Sequence, residues 1–266
     1  MIFGCHALNA CAQEKPSSEE RVVEKQCLVK AHAHNDYLHP RPLLDALEQG
    51  FGSIEADVFL VSGKLRVAHS LVEIRNDRTL DALYLKPLAA RCEAHGGRVY
   101  RNGPELLLLV DFKSNAESTY ERLAEELAPY SKHLTRLEDG KLISGAIRVV
   151  VSGNRPVEIL KAEQSRLAFI DGRVNDLVEN SPVDLIPLVS DQWSKHFKWQ
   201  GSGEMAVVEK QKLAEMVSLV HQQHRKLRFW GVPDNAVSWK QLLLADVDLI
   251  NTDKLAELAE FLRSQP

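Results

Sequence analysis

Between residues 31 and 70 the chain sets histidines on both sides of a pair of acids. The segments read Ala-His-Ala-His-Asn-Asp-Tyr at 31–37, Ser-Ile-Glu-Ala-Asp-Val-Phe-Leu at 53–60, and a histidine again at 69. Glu55 and Asp57 alternate within an apolar run, so in a strand they share one face while Ala56 and Val58 take the other. Two carboxylates buried side by side are costly unless a cation or hydrogen bonds compensate them, and a hard divalent ion, Mg2+ or Ca2+, is the counter-charge that carboxylate oxygens suit. Histidine, with an unperturbed pKa of about 6.5, suits proton transfer near neutrality. His34 and His69 flank the acids as candidate catalytic groups. His32 alternates onto the same face as His34, and the sequence leaves open which of the two does the work.

The elements that must hold these residues alternate in type. Apolar runs predict strands at 27–33, 54–60, 106–112, 147–151, 167–170, 185–189, 227–230 and 247–250. Helical patterns fall between them at 40–50, 118–134, 154–163, 206–224 and 238–246. Pro42 suits a first helical turn, Gly50 a C-terminal cap and Ser238 an N-cap. Strand and helix in alternation over eight units predict an α/β fold, a single (β/α)8 TIM barrel, with an open doubly wound sheet as the runner-up. No GxGxxG or GxxxxGK[ST] loop supports nucleotide binding.

In such a barrel the site lies at the C-terminal ends of the strands, and these ends are polar throughout. They carry His32 and His34, then Glu55 and Asp57, then Asp111 and Lys113, then Ser152 and Asn154. Asp171 with Arg173, Asp191, Trp230 with Asp234, and Asn251 with Asp253 complete the ring. Asp111 is the candidate third metal ligand, and Lys113, Asn35, Asn154 and Trp230 are candidate substrate contacts. Asp36 reads as a cap of the following turn, Asp171, Arg173 and Asp191 as salt-bridge or capping residues, and His133, His196, His221 and His224 as solvated.

A chain of 266 residues suffices for one such domain, assigned here to 26–266, with 1–25 read as a leader or flexible tail. The formal charge of -4 argues against nucleic acid as a partner. No apolar run reaches the roughly 18–20 residues of a membrane span. Cys5, Cys11, Cys27 and Cys92 lack zinc-site spacing. The opening MIFGCHALNACAQEKPSSEE runs from apolar to small to polar, the order of an export leader, and Leu8-Asn9-Ala10-Cys11 has the form of a lipoprotein box in which Cys11 would carry a lipid anchor. The expectation is a periplasmic, lipoprotein or secreted location.

These motifs together resemble the glycerophosphodiester phosphodiesterase and phosphatidylinositol-phospholipase-C-like superfamily of TIM barrels. AHAHNDY followed by SIEADVFL resembles in particular the branch named for the altered inheritance of mitochondria protein 6. The resemblance spans about residues 28–262 and rests on the strand-one histidine, the Glu55-x-Asp57 pair, His69, Asp111-x-Lys113, Phe229-Trp230 and Asn251-Thr252-Asp253. It implies metal-dependent hydrolysis of a small-molecule or lipid phosphodiester by two histidines acting as acid and base, through a cyclic phosphate, with one divalent cation on Glu55, Asp57 and Asp111. Three positions depart from the best-known glycerophosphodiesterases: Asn35-Asp36 stands where Arg-Gly follows the first histidine, His69-Ser70 replaces His-Asp, and Asp111 replaces a glutamate. The first change removes an arginine that would touch substrate phosphate. Two other classes are weighed beside this one. His32-x-His34 also opens amidohydrolase and polymerase-histidinol-phosphatase-type metal sites, which need further histidines on later strands. A non-catalytic barrel that binds a phospholipid or sugar phosphate is the third.

Overall fold

Eight parallel strands carry the fold: β1 (Leu28–Ala33), β2 (Phe51–Val61), β3 (Leu106–Phe112), β4 (Ile147–Gly153), β5 (Ala168–Gly172), β6 (Leu188–Gln192), β7 (Lys226–Trp230) and β8 (Ile250–Thr252). Their neighbour order is β7-β6-β5-β4-β3-β2-β1-β8, and a parallel bridge between Arg228 and Leu249 brings β7 against the start of β8, so the sheet all but closes on itself. The expected α/β TIM barrel is the observed architecture. The structure is a computed structural model that describes residues 25–179 and 181–265. The leader and the Cys11 lipid box lie outside the described residues.

The alternation within β3 shows how one sequence builds two cores. Leu107 and Leu109 point into the barrel, where they pack with Val150, Phe169, Leu188 and Leu249. Leu106, Leu108 and Val110 point outward into the larger layer between strands and helices, beside Ile54, Ala56, Val58, Val149 and Val151. A strand buried on both faces reads as an unbroken apolar run, which is why Leu-Leu-Leu-Leu-Val is so clear a signal. Past Leu109 the inward series becomes polar at Asp111, and in β2 it runs Ser53, Glu55, Asp57. The apolar plug closes the bottom of the barrel and leaves its upper end to the polar side chains.

Several boundaries differ from the sequence reading. β6 starts at Leu188, not Leu185, because Pro187 has no N–H for a ladder and Leu185 and Ile186 instead bond back to the Pro182 carbonyl. β8 is Ile250–Thr252, not 247–250. The Asp248 carboxylate occupies the earlier position, accepting from the Leu227 N–H and from His221. The helix expected to begin at Ser238 runs Ala236–Leu244 and is capped by Asn235, whose side chain accepts from the N–H groups of Val237 and Ser238. Pro42 precedes the short helix Leu44–Glu48 and is not in its first turn, while Gly50 follows it at φ +83, as a C-terminal glycine should. Helices Lys86–Ala94 and Leu255–Arg263 were not read from sequence. No helix among the described residues is long and apolar enough to cross a membrane.

The interior plug generates a prediction. Phe169 is fully buried in it, beneath the guanidinium groups of Arg148 and Arg166. Phe169→Ala should lower unfolding free energy by about 3–5 kcal/mol. Urea denaturation checks this, with the midpoint falling and the slope unchanged.

Candidate functional site

Parallel pairing of β2 with β3 sets Asp57 beside Asp111, and pairing of β3 with β4 sets Asp111 beside Ser152. Carboxylate oxygens of Glu55, Asp57 and Asp111 therefore converge within 4.8 Å of one another. The Lys113 ammonium bridges two of these acids, 3.2 Å from Asp57 Oδ2 and 3.1 Å from Asp111 Oδ2. Their Oδ1 atoms are buried and have no hydrogen-bond partner. Two enclosed, unpartnered carboxylate oxygens beside a third acid are the donor set a hard divalent cation takes, so the residues fit the expected ion. The backbone protects this arrangement at Gly153, whose φ is +66. A Cβ there would stand 2.0 Å from Asp111 Oδ1.

Charge crowding shows in the titration of the acids. Burial, followed by the nearby Glu55 charge, pushes the Asp57 carboxyl up to about 6, with Lys113 opposing. Burial also raises Asp111 against the pull of Lys113. Glu55 goes the other way. Burial alone would raise it, but the Arg228 guanidinium and the His32 hydrogen bond hold it well below the usual carboxylate range. Arg228 Nη2 donates to Glu55 Oε2 at 3.0 Å, and its Nε donates to Asn251 Oδ1.

The two strand-one histidines separate sharply. His32 is 0% exposed, with Nδ1 2.7 Å from Ser53 Oγ and Nε2 3.0 Å from Glu55 Oε2. Burial and the neighbouring Arg228 lower its pKa to about 4, so the neutral ring donates through Nε2 to Glu55 and accepts the Ser53 hydroxyl. His32 thus lies beneath the cleft with both ring nitrogens taken, and serves to hold Glu55. His34 lines the cleft, its Nδ1 2.8 Å from Asp253 Oδ1. Its pKa is raised, burial being outweighed by the Asp253 hydrogen bond and the Glu55 charge. His69 stands at the cleft mouth with its side chain 58% exposed, Nδ1 facing the Tyr37 hydroxyl at 3.0 Å.

The cleft encloses about 480 Å3 and gathers nine of the expected residues: His34, Asn35, Glu55, Asp57, His69, Asp111, Lys113, Asn154 and Trp230. Asn154 is turned partly away, donating to the Ser114 carbonyl. Sequence reasoning missed Tyr37, Arg228 and Gly153, and it set Arg173 aside. Tyr37 closes the AHAHNDY motif, and Arg228 stands two residues before Trp230 on the same strand face. Those spacings were the available signals. Arg173 lines the cleft while also pairing with buried Asp171 at 3.0 Å. The capping role read for Asp36 is what the structure shows, since it accepts from the Leu43 N–H and the Tyr84 hydroxyl. Asp191 pairs with His196 at 3.0 Å. Of the four histidines expected to be solvated, only His224 is exposed. His133 is buried, and His196 and His221 are half-buried against Asp191 and Asp248. Among the described residues the one cluster of three or more candidate ligands is all carboxylate, unlike the histidine-rich centre that an amidohydrolase-type reading requires.

Comparison with known proteins agrees with this architecture. The AIM6-like phosphodiesterase domain matches residues 20–171, more than half of the chain. "Altered inheritance of mitochondria protein 6" of Eremothecium gossypii is 28% identical over 278 residues, covering 88% of this chain and 69% of that protein. A homolog from Arthroderma benhamiae is 25% identical over 259 residues, 85% of this chain and 81% of its own. Among solved structures, a glycerophosphodiester phosphodiesterase from Parabacteroides distasonis superposes with a TM-score of 0.56 at 15% identity, over 90% of this chain and 99% of that one. One from Agrobacterium tumefaciens gives 0.52 at 13% identity, over 90% and 100%. At such identities these two establish the barrel and no more. The fungal relatives and the domain match establish kinship, and the chain belongs to the AIM6-like phosphodiesterase domain family.

Proposed function

We propose that this chain is a divalent-cation-dependent phosphoric diester hydrolase acting on a glycerophosphodiester or a phospholipid-headgroup-like substrate. The observation that carries the reading is one cleft in which His34 and His69, each with Nδ1 tied back to the protein, flank three converging carboxylates, two of which keep an unpartnered oxygen. Glu55, Asp57 and Asp111 would hold a Mg2+ or Ca2+ ion, which would supply positive charge for the phosphodiester's developing negative charge. Lys113 adds charge on the same side and Arg173 on the β5 side of the cleft. His34, whose affinity for a proton Asp253 raises, is placed to donate to the departing alcohol. His69 is placed to take the proton of the attacking hydroxyl. That hydroxyl is a neighbour of the phosphate on the substrate, so the first product is a cyclic phosphate. Trp230 offers an apolar ring to the substrate's headgroup.

Glu55→Gln should abolish both cation binding and turnover, and His69→Ala should abolish turnover while leaving cation affinity nearly intact. Calorimetric titration with Mg2+ and Ca2+, together with assays on a phosphodiester panel with and without EDTA, checks both. Full turnover by the His69 variant would refute the mechanism. Gly153→Ala, by driving a methyl into Asp111 Oδ1, should weaken cation binding by about tenfold or more, read in the same titration. Cation affinity should also rise with pH. Asp57, raised to about 6, holds a proton at pH 5 that the ion must displace and has lost it by pH 7.5. The increase in Tm on adding the ion should therefore be larger at pH 7.5 than at pH 5. An equal increase at both would show that Asp57 is not a ligand.

A further inference from the structure

Tyr37 sits at the junction of the acid cluster and the outer histidine. Its ring is 2% exposed and stacks beside the His69 ring at 6.4 Å between centroids, with 21° between planes. The hydroxyl lies 2.7 Å from Asp57 Oδ2, 2.8 Å from Asn35 Oδ1 and 3.0 Å from His69 Nδ1. The turn that carries it is fixed from both sides. Asp36 is buried against Leu43 and Tyr84, and Arg78 donates to the Tyr37 carbonyl. The hydroxyl is therefore held in place by its own backbone, independently of His69, whose side chain is 58% exposed and whose Nδ1 lies farther, 3.7 Å, from Asp57 Oδ2.

A phenol has one proton to give. Both Asp57 Oδ2 and Asn35 Oδ1 only accept, and the carboxylate is nearer and charged, with Lys113 also donating to the same atom. The Tyr37 proton is thus committed to the acid cluster, and the hydroxyl turns a lone pair toward His69. The nitrogen facing that lone pair must carry the ring proton.

We propose that Tyr37 is a positioning residue that fixes His69 as the Nδ1–H tautomer, with the unprotonated Nε2 directed to the cleft as the proton-accepting atom. This deepens the reading of the site as a phosphodiesterase, and rests on it for the function of Nε2 but not for the tautomer. It assigns the two histidines different supports: an acid behind His34, a phenol behind His69. Tyr37 also leaves Asp57 Oδ1 as that residue's unengaged oxygen, so the group that orients the base also orients a candidate cation ligand.

The test is Tyr37→Phe, which keeps the buried ring and removes only the hydroxyl. Ring nitrogen shifts of His69, read from two-bond 1H–15N correlation spectra of full-length protein, report the tautomer directly. In the parent protein the proton should reside on Nδ1. In Tyr37→Phe it should redistribute to Nε2, kcat should fall by about tenfold or more, and KM should change by less than about twofold. A parent His69 protonated on Nε2, a tautomer unmoved by the substitution, or an unchanged kcat would each overturn the proposal. Absence of turnover by the parent on every phosphodiester, with the expected tautomer shift intact, would instead refute the phosphodiesterase reading and leave the positioning role standing.

Discussion

Three carboxylates converging at the mouth of one barrel are the constraint around which the upper half of this molecule is arranged. Each is withdrawn from bulk water, and like charges this close raise one another's proton affinity. The protein answers on every side. Arg228 reaches from β7 and His32 from β1 to hold Glu55, Lys113 spans Asp57 and Asp111, and Tyr37 donates to Asp57. Each compensating group comes from a different strand or turn, so the closed barrel is the condition for the cluster. An open sheet in this strand order would leave β7 at the far edge from β2, and Glu55 would lose the guanidinium that keeps it ionised.

The compensation is incomplete, and unevenly so. Glu55 is clamped through Oε2, and the two aspartates are each engaged through Oδ2. What is left over is one enclosed oxygen on Asp57 and one on Asp111. Buried polar atoms without partners are rare in folded proteins because each forfeits its hydration. Two of them side by side, in a cluster of three acids that four other groups already attend, form the donor set that a hard divalent cation would take. Gly153, whose missing side chain gives Asp111 its room, makes the same point from the backbone.

The layered barrel was readable because it rests on local periodicity. β3 announces itself as Leu-Leu-Leu-Leu-Val, and its phase carries directly to Asp111, just as the alternation in β2 carries to Glu55 and Asp57. Boundaries failed where a side chain or a proline replaced a ladder bond: Pro187 ahead of β6, Asp248 ahead of β8, and Asn235, not Ser238, at a helix start. The site was readable to the same depth. Residues at strand ends, Asp111 and Lys113 among them, fall where the alternation puts them. Arg228 and Tyr37 were missed because their importance arises across the barrel, in contacts between residues 173 and 20 positions apart that the spacing within one segment only hints at. His32 and His34, two residues apart on one face, were indistinguishable in sequence. Depth separates them: one layer down, Ser53 and Glu55 take both nitrogens of His32, while His34 clears the rim beside Asp253.

That vertical order explains how one motif provides both support and chemistry. A barrel strand rises about 3.3 Å per residue, so side chains two apart on the inward face sit in successive layers. Glu55 sits beside Leu109 at the top of the apolar plug, with His32, Arg228 and Asn251 gathered around it as a middle layer, and Asp57 beside Asp111 stands one step above, with His34 and His69 at the cleft. Exposure is greatest at the rim, where His69 has more than half its side chain free while His32 beneath it has none. Polar groups whose protonation is fixed are kept in the middle, where burial and Arg228 keep His32 neutral, while Arg228 and the His32 hydrogen bond keep Glu55 ionised against burial. His34 and His69 stand above, each steadied through Nδ1 and facing the cleft. The middle layer is therefore what lets the upper one be both exposed and ordered.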